Sequence, residues 1–525
     1  MEYIFEIISG LIALILGILG LMIQKDISKD IKTLIWILFI LFILITIYTI
    51  ILKKKNKEKE QKQKDFYNKI TEQSALIIRG YAQPYVDGLG DHPLLQHSFK
   101  KGETFVKEKK FIEAVNEYKK CLNHPEANVE NRTAAHILIG VCLYKLQKFH
   151  EARNHYNNAL HLTNKIKDIY INKKIKSIIY SNIGITYNFM ENSKKSEKLF
   201  TKAIKINPDN DDAYINRGVT KGKLENLAGS IEDFSKAILI NPKNEDAYIN
   251  IGITNNRLGN YELALENIAQ AIQINPNNVR AYVTRGAILD NTGNSELSLK
   301  DFDMAIQINS KDEEAYLCRG VAKGRLKNHN GAIDDFNKAI EINPNNAIIY
   351  FNRGLAKNML DDFIHAVEDY NTAIKLQSSY FEAFMNRGVV KFQLRDAEGA
   401  IKDLDKAVEI NSKYFEVYIN RGLIRSKLGN NAEAIKDFNR AEAINPKDTR
   451  TYIGRGIAKG ELGNLKEAIE DFNIAIKFKP EAAEGYFNRG IAKKKLGDNK
   501  GATEDFTTAI KINPNILKQE GFKTQ

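Results

Sequence analysis

The sequence contains little cysteine, tryptophan or proline. Its 525 residues include three cysteines, one tryptophan and ten prolines. Cys121, Cys142 and Cys318 are too few and too scattered for a disulfide framework or a zinc site, and they indicate reduced packing residues in a reducing compartment. The sequence also lacks a phosphate loop with the required spacing and a His-Glu-x-x-His metal motif. These absences argue against a disulfide-rich secreted protein, a P-loop nucleotide hydrolase and a zinc protease.

The few prolines are regularly placed. Seven of them stand at multiples of 34 residues, at Pro208, Pro242, Pro276, Pro344, Pro446, Pro480 and Pro514. An aromatic residue has the same period and is followed four residues later by glycine, at Tyr180, Tyr214, Tyr248, Tyr282, Tyr316, Tyr350, Phe384, Tyr418, Tyr452 and Tyr486. A repeat of this length predicts a solenoid, in which each unit buries its apolar face against its neighbours. We number the positions of each unit from 1 to 34, so that Tyr214 occupies position 4.

Each unit predicts two amphipathic helices joined by a short turn. In the unit that starts at Asp211, apolar and small residues recur at helical spacing as far as Leu224, and again from Ser230 onward. Several other units place Gly-Asn or Gly-Asp between the two runs, and glycine permits the left-handed turn that ends a first helix. Asn241 and Pro242 end the second helix, because proline disfavours helix in the residue before it.

This pattern resembles the tetratricopeptide repeat family. The large aromatic residue of the family's first helix matches Tyr214, and its packing glycine matches Gly218. In the second helix the small residue, the aromatic and the alanine match Ser230, Phe234 and Ala237. The resemblance covers about four-fifths of the chain. It implies an all-α fold, a right-handed superhelical solenoid of helix-turn-helix repeats.

The repeats divide the chain into segments. Ten regular repeats occupy residues 177–515, two divergent repeats occupy residues 95–176, and a short tail occupies residues 516–525. Extra residues around 166–176 predict a lengthened second helix in the second divergent repeat. The twelve repeats and the apolar segments before them leave about forty residues, too few for a catalytic domain. We therefore expect no enzymatic activity and no cofactor or metal.

Three histidines lie close together in the second divergent repeat. His150, His155 and His161 have no acidic residue beside them that would complete a metal-ligand set. They are therefore predicted to be exposed residues of one helix.

Eight units depart from the family at position 7, where they carry arginine and the family usually has leucine. Each of these units also has aspartate sixteen residues later. The pairs are Arg217 and Asp233, Arg285 and Asp301, Arg319 and Asp335, Arg353 and Asp369, Arg387 and Asp403, Arg421 and Asp437, Arg455 and Asp471, and Arg489 and Asp505. The other two units have Ile183 with Leu199 and Ile251 with Asn267. Because half of a buried pair is costly, this joint occurrence predicts a bidentate ion pair between the helices of each unit. A phosphate-binding ladder is the alternative.

Asparagine recurs at position 6. It is found at Asn182, Asn216, Asn250, Asn352, Asn386, Asn420 and Asn488. The resemblance implies that first helices line the inner surface of the superhelix. There an asparagine ladder, as in the repeats of O-linked N-acetylglucosamine transferases, grips the backbone of an extended peptide. A carboxamide both donates and accepts hydrogen bonds, so it fits peptide groups with little sequence preference. Alternatively, the asparagines and the apolar residues at positions 5 and 9 join adjacent first helices.

Two uncharged apolar segments, residues 7–23 and 33–52, precede the repeats. They predict a transmembrane hairpin within residues 1–52, with spans at about residues 4–23 and 31–52. A basic juxtamembrane segment and linker follow at residues 53–94, and the lysines from Lys53 to Lys64 are expected to contact anionic lipid. Basic flanks stay on the cytoplasmic side, so the repeats are expected to face the cytoplasm from a plasma or inner membrane. A cleaved signal peptide is the alternative, although Glu2 and Glu6 stand where basic residues are usual.

These features together predict a membrane-anchored scaffold that binds extended peptide segments of cytosolic proteins. The alternative is an assembly or chaperone-type adaptor of a membrane complex that acts through self-association and forms a homo-oligomer. A nucleic-acid-binding solenoid would use the basic residues at position 13, which are Lys223, Arg257, Arg325, Lys427 and Lys495. Acidic residues at position 2 of the same face oppose it, at Asp212, Asp246, Glu314, Glu382, Glu416 and Glu484. Nucleic acid is therefore a disfavoured partner.

Overall fold

The computed structural model describes residues 93–516, with side chains from residue 97. Within that range the regular structure consists of 24 α-helices and contains no strand. The predicted membrane hairpin, the lysine-rich segment and nearly all of the linker lie outside the described residues, as does the predicted tail except Ile516. Among the helices of residues 93–516, none combines the length and the apolar character that a membrane crossing requires.

The described chain forms two compact units that divide between Ile240 and Asn241. The first unit contains α1 (Pro93–Lys107), α2 (Phe111–Asn123), α3 (Val129–Lys145), α4 (Phe149–Thr163), α5 (Ile169–Phe189), α6 (Ser193–Ile206), α7 (Asp211–Lys223) and α8 (Leu227–Ile240). The second unit begins with α9 (Glu245–Arg257), α10 (Tyr261–Ile274), α11 (Val279–Asn291), α12 (Ser295–Ile308), α13 (Glu313–Arg325), α14 (His329–Ile342), α15 (Ala347–Asn358) and α16 (Phe363–Leu376). It continues with α17 (Phe381–Gln393), α18 (Ala397–Ile410), α19 (Phe415–Lys427), α20 (Asn431–Ile444), α21 (Thr449–Glu461), α22 (Leu465–Phe478), α23 (Ala483–Lys495) and α24 (Asn499–Ile512).

Helices pair within each repeat because a glycine at position 8 lets them approach closely. A Cβ atom added to Gly286 would lie only 2.6 Å from Cε1 of Phe302 in the partner helix. The phenylalanine ring is almost fully buried at 1% exposure. In two repeats a serine at position 20 adds a hydrogen bond between the helices: Ser196 Oγ donates to the carbonyl oxygen of Gly184, and Ser230 Oγ to that of Gly218, both at 2.8 Å. The aromatic residue, the glycine and the small residue of the repeat pattern therefore form one contact.

The turn after the first helix adopts the left-handed conformation. Glycine occupies it in five repeats, with φ between 79° and 87°, and Gly429 is an example. Other repeats use a residue with a side chain, such as Glu225 (φ 62°) or Arg395 (φ 66°). Such residues adopt this conformation at some cost in free energy. The turn geometry is therefore set by the repeat and tolerates residues other than glycine.

The extra residues around 166–176 lengthen a different helix from the one predicted. Helix α4 ends at Thr163, and the additional turns belong to α5, which has 21 residues where α7 has 13. The Asp168 side chain caps α5 by accepting a hydrogen bond from the backbone nitrogen of Ile171. Asn172 Nδ2 donates to the carbonyl oxygen of Thr163 at 2.6 Å, and Ile166 is buried in the turn. This capped turn prevents α4 from continuing.

Within each compact unit, the first helices of the repeats form one surface. In the second unit the first helix of every repeat contacts the first helix of the next, whereas the second helices pack chiefly against first helices. In the first unit α5 and α7 make contacts of the same kind. The side of the first helices that carries positions 2, 5, 6, 9 and 13 is called the inner surface below. It is the place where side chains of successive repeats come together.

Candidate functional site

Eight guanidinium groups lie against the aspartates with which the sequence pairs them. In each pair the arginine at position 7 donates from Nε and Nη2 to the carboxylate at position 23, at 2.5–3.2 Å. The arginine side chains are 9–28% exposed and the aspartates 2–7%. Each guanidinium also lies 5.2–5.7 Å from the centre of the aromatic ring at position 4. The pairs therefore join the two helices of a repeat in a largely buried setting.

The same arginines reach the preceding repeat, which sequence reasoning missed. Seven of them donate from Nη1 to position 25 of the repeat before, at 2.6–3.2 Å. The acceptors are Thr201, Asp303, Asn337, Asn371, Asp405, Asn439 and Asn473. Arg285 is the exception because Ala269 stands at that position, and its side chain is the most exposed of the eight, at 28%. The other seven arginines each join three helices.

Most of the aspartates also hold a second cation. Residues at position 11 place an amine or guanidinium nitrogen 2.8–3.0 Å from the carboxylate, at Lys221, Lys323, Lys357, Lys391, Arg425, Lys459 and Lys493. Burial alone would raise the pKa of Asp505, but hydrogen bonds from Arg489 and Lys493 outweigh it and hold the pKa below its usual value. Because the guanidinium groups are bonded to carboxylates, the geometry favours helix joining over a phosphate ladder.

A histidine pair replaces the charged pair in the second divergent repeat. His136 and His155 occupy the positions that hold the aromatic residue and the aspartate in regular repeats, and their Nδ1 atoms are 3.0 Å apart. Burial lowers the pKa of His136 to about 4, and the neighbouring His155 adds to this effect. Burial and then Lys119 lower the pKa of His155 as well. His155 is therefore an interhelix contact residue, and the prediction that it is exposed was wrong.

This pair should make the first unit sensitive to mild acid. The unfolded chain takes up protons near pH 6.5, whereas folded His136 resists protonation down to about pH 4. The stabilisation that neutral His136 gives the folded state is therefore complete above pH 6.5 and is lost as the pH falls toward 4. The free energy of unfolding should fall by about 2 kcal/mol over this range, after allowance for partial exposure of the ring. Urea unfolding between pH 7 and pH 4 measures it. His136→Phe with His155→Leu should flatten the curve, and exposed His161→Gln should leave it unchanged. Equal slopes in all three proteins would contradict the expectation.

The seven asparagines at position 6 lie on the inner surface with partly exposed side chains. In four of them Nδ2 donates to the carbonyl oxygen four residues earlier, at 2.8–2.9 Å, and these are Asn216, Asn352, Asn386 and Asn488. Asn250 Oδ1 accepts a hydrogen bond from Arg280. Within the described residues, Asn182 Nδ2 is buried without a hydrogen-bond partner, and Asn420 makes no side-chain hydrogen bond. The first four carboxamides are thus held against their own helix and keep an oxygen that can accept a further hydrogen bond.

The apolar residues beside the asparagines differ in exposure. Ile419 and Phe487 at position 5 are 1% and 2% exposed, so they belong to the core between helices. Leu423 at position 9 is 37% exposed, and Ile348 at position 2 is 45% exposed. The apolar rows therefore act mainly in packing, and only single members are available to a ligand.

The charged residues of the inner surface are largely engaged with one another. Arg325 Nη1 donates to Asp290 Oδ2 at 2.5 Å, and Lys495 Nζ lies 3.7 Å from Glu461. Lys427 Nζ lies 6.0 Å from the centre of the Phe392 ring. Position 13 thus does not present a row of free cations, which a nucleic-acid backbone would require.

An aromatic cluster on the inner surface was missed from the sequence. The tripeptide Tyr-Phe-Glu occurs at 380–382 and again at 414–416, at positions 34, 1 and 2. The ring centres of Phe381 and Tyr414 are 5.0 Å apart, and those of Phe351 and Tyr380 are 4.9 Å apart. All four rings remain partly exposed. The signal that could have found them is the repeated tripeptide, since most other repeats have asparagine or aspartate at position 34.

The paired helices and their 34-residue period define the class of protein as a helical repeat protein. Models of the tetratricopeptide repeat match residues 178–210, 211–244, 245–278, 381–414, 415–448 and 483–516. A further TPR repeat model matches residues 325–360 and 458–497. The chain is therefore a tetratricopeptide repeat protein.

Solved structures of helical repeats are similar to this chain over various lengths. YrrB, described as a TPR protein with an unusual peptide-binding site, is 26% identical, with 35% of this chain and 94% of that chain covered and a TM-score of 0.30. Cut9 with Hcn1 from an APC/C hetero-tetramer is 14% identical, with coverage of 83% and 97% and a TM-score of 0.43. Yeast Tom70 is 16% identical, with coverage of 75% and 94% and a TM-score of 0.38. A comparison with curated proteins gave no match.

Proposed function

We propose that this protein is a membrane-anchored scaffold whose inner repeat surface binds extended peptide segments of cytosolic proteins. The observation that carries the proposal is the row of half-buried asparagines at position 6. Asn352 and Asn386 each donate to their own helix through Nδ2, which fixes the carboxamide. Their oxygens can then accept hydrogen bonds from the backbone N–H groups of a bound peptide.

The remainder of the inner surface fits a ligand that is recognised mainly through its backbone. Ile419 and Phe487 are buried, so they offer no pocket for a partner's side chain. A carboxamide in each of several successive repeats would bond the peptide at intervals along its length. Affinity would then depend on an extended conformation and only weakly on sequence.

Removal of the amides should weaken peptide binding without unfolding the protein. Asn352→Ala, Asn386→Ala and Asn420→Ala combined should reduce affinity for a captured segment about 10-fold or more, because several hydrogen bonds of about 1 kcal/mol each are lost. Isothermal titration with full-length protein in detergent measures the change. The matched control replaces three exposed asparagines elsewhere, Asn330, Asn345 and Asn499, with alanine.

The two triple variants separate the outcomes. Weaker binding in the first with an unchanged melting temperature in both supports the proposal. Equal affinities in the two variants would move the binding site away from position 6.

The membrane anchor is a part of this proposal that the N-terminal sequence supports. The apolar segments at about residues 4–23 and 31–52 and the lysines from Lys53 to Lys64 are expected to hold the repeats at the cytoplasmic face. Full-length protein should stay in the membrane pellet after alkaline carbonate extraction, and a variant without residues 1–52 should enter the supernatant. Protease added to intact cells should leave the repeats uncut, and digestion from outside would overturn the topology.

Self-association through the last repeat is the second candidate. Phe506 of α24 keeps part of its ring exposed, whereas its counterparts Phe438 and Phe472 are 0% and 2% exposed. Ile516 is fully buried against the same repeat. Sedimentation equilibrium of the variant without residues 1–52 tests it, since a monomer at high concentration excludes a homo-oligomer formed by the repeats.

A further inference from the structure

The Tyr-Phe-Glu segments give up a stabilising feature that neighbouring repeats keep. At position 34, Asn278, Asp312 and Asn346 accept hydrogen bonds from the backbone at the start of the helix that follows. Tyr380 and Tyr414 stand at the same position and make no such bond. An N-terminal cap stabilises a helix, so its replacement by tyrosine in two successive repeats is a local cost. Such departures are expected at functional sites.

The chain itself shows what binds between two repeats on this surface. Arg280 of α11 donates from Nη1 to Asp246 Oδ1 at 3.1 Å and from Nη2 to Asn250 Oδ1 at 2.9 Å. The two acceptors occupy positions 2 and 6 of α9, the first helix of the preceding repeat. A single guanidinium thus bridges the carboxylate and the carboxamide of one repeat. An arginine does this well because its planar head offers several donors in fixed directions.

The corresponding site on α17 has the acceptors and lacks the arginine. Glu382 and Asn386 occupy positions 2 and 6, and the residue that corresponds to Arg280 is Glu416. Within residues 97–516, no arginine or lysine bonds to the Glu382 carboxylate, and no donor reaches Asn386 Oδ1. The carboxylates of Glu382 and Glu416 make the site acidic, which suits a cationic ligand.

Aromatic rings lie beside this site. Phe381 directly precedes Glu382, and the centre of its ring is 5.0 Å from that of Tyr414. Burial raises the pKa of the Tyr380 hydroxyl, and the Glu382 carboxylate adds to this rise. The pKa of the Tyr414 hydroxyl is raised by burial, then by Glu416 and then by Glu382. The Phe415 ring already holds the Arg450 guanidinium, 5.9 Å from the ring centre. Aromatic faces attract cations most strongly where water is partly excluded. The rings therefore add a second source of attraction for a guanidinium at Glu382.

We propose that Glu382, Asn386 and the rings of Tyr380, Phe381 and Tyr414 form a receptor for an arginine side chain of the bound peptide. This inference rests on the proposed peptide-binding function and adds a specific residue to it. The guanidinium would donate to the Glu382 carboxylate and to Asn386 Oδ1, as Arg280 does in its own repeat, and would lie against the tyrosine rings.

The probe is a fluorescein-labelled peptide of four Arg-Ser units, compared with the same peptide containing citrulline, which has the same shape without the charge. Fluorescence anisotropy with full-length protein in detergent should show about 10-fold tighter binding of the arginine peptide. Glu382→Gln should remove most of this preference. Glu484→Gln is the matched control, because Glu484 also occupies position 2 and has no Tyr-Phe pair before it.

Two further variants test the site, one by placing an arginine in it and the other by removing one of its rings. Glu416→Arg places an arginine where Arg280 stands in its repeat, so it should occupy the receptor, raise the melting temperature and weaken the probe about 10-fold. Tyr380→Asn removes a ring of the receptor, so it should weaken the probe, and the restored helix cap should offset part of the packing lost against Phe351. In Glu416→Arg, a higher melting temperature excludes unfolding as the cause of lost binding.

The outcomes distinguish this inference from the function on which it rests. Equal binding of the arginine and citrulline peptides, or equal effects of Glu382→Gln and Glu484→Gln, would overturn the receptor. If both peptides still bind and the triple asparagine variant releases both, the scaffold function stands alone. If neither peptide binds, the receptor is refuted, and titration of a captured segment with the triple asparagine variant decides the scaffold function separately.

Discussion

Asp403→Leu should lower the free energy of unfolding of the second unit by about 3–5 kcal/mol, because it leaves two largely buried cations without their carboxylate. The Asp403 side chain is 6% exposed and accepts two hydrogen bonds from Arg387, at 2.8 and 2.5 Å. Lys391 Nζ lies 2.9 Å from the same carboxylate. Without it, one guanidinium and one ammonium would remain in a largely water-free contact between two helices. Urea unfolding followed by circular dichroism measures the loss.

A matched variant already exists within the chain. In the repeat that starts at Ser177, the three positions hold Ile183, Tyr187 and Leu199. Combining Arg387→Ile and Lys391→Tyr with Asp403→Leu copies this set, and we expect a stability within about 1 kcal/mol of the parent, since apolar replacement of a whole buried ion pair is often nearly neutral. Equal losses in the single and triple variants would show that packing of Asp403, and not its charge, matters.

The repeat architecture could be predicted because one pattern is written many times. A single Tyr214 with Gly218 would indicate little, whereas ten copies at one spacing specify helix lengths, turn positions and the contact between glycine and the aromatic ring. The pairing of Arg387 with Asp403 could be inferred for the same reason, since two repeats lack both charges together. Repetition supplies within one chain the variation that a comparison of relatives would provide.

The contacts between repeats were harder to predict. The bond from Arg387 Nη1 to Asn371 joins residues sixteen apart in the opposite direction along the chain, and asparagine at an exposed helix position has many explanations. Only the packing of α17 against α16 shows that one guanidinium serves both sides. The extra residues around 166–176 were predicted to lengthen α4, whereas they lengthen α5. The cap at Asp168 depends on a buried turn, which the periodicity of the sequence does not reveal.

The inner surface, too, could be predicted only in part. The recurrence of asparagine at position 6 is visible in the sequence, but the burial of Ile419 and Phe487 beside it is not, because apolar residues on a first helix can face either a neighbour or solvent. The Tyr-Phe-Glu segments were overlooked because aromatic residues near a helix start are commonly packing residues. Their meaning depends on the missing cap and on the arginine that occupies the equivalent site at Asp246.

Gly286→Ala should destabilise the second unit by about 3 kcal/mol, although alanine is the better helix former. The new Cβ would lie 2.6–3.0 Å from three atoms of the Phe302 ring. The ring is 1% exposed and is enclosed by neighbouring repeats, so it has little room to move. Gly324→Ala is the matched control, since Gly324 also lies in a first helix and a Cβ there would meet nothing within 4 Å. The free energy of unfolding of Gly324→Ala should rise by about 0.5–1 kcal/mol.

A double-mutant cycle shows whether the ring causes the loss. Phe302→Ala alone should cost about 3–5 kcal/mol, because it leaves a cavity between helices. In the double variant the Gly286→Ala methyl group would enter that cavity, so the combined loss should fall short of the sum by about 2 kcal/mol or more. Additive losses would mean that alanine at Gly286 acts through the backbone of α11. The close approach of paired helices would then have a different origin from the contact between glycine and ring.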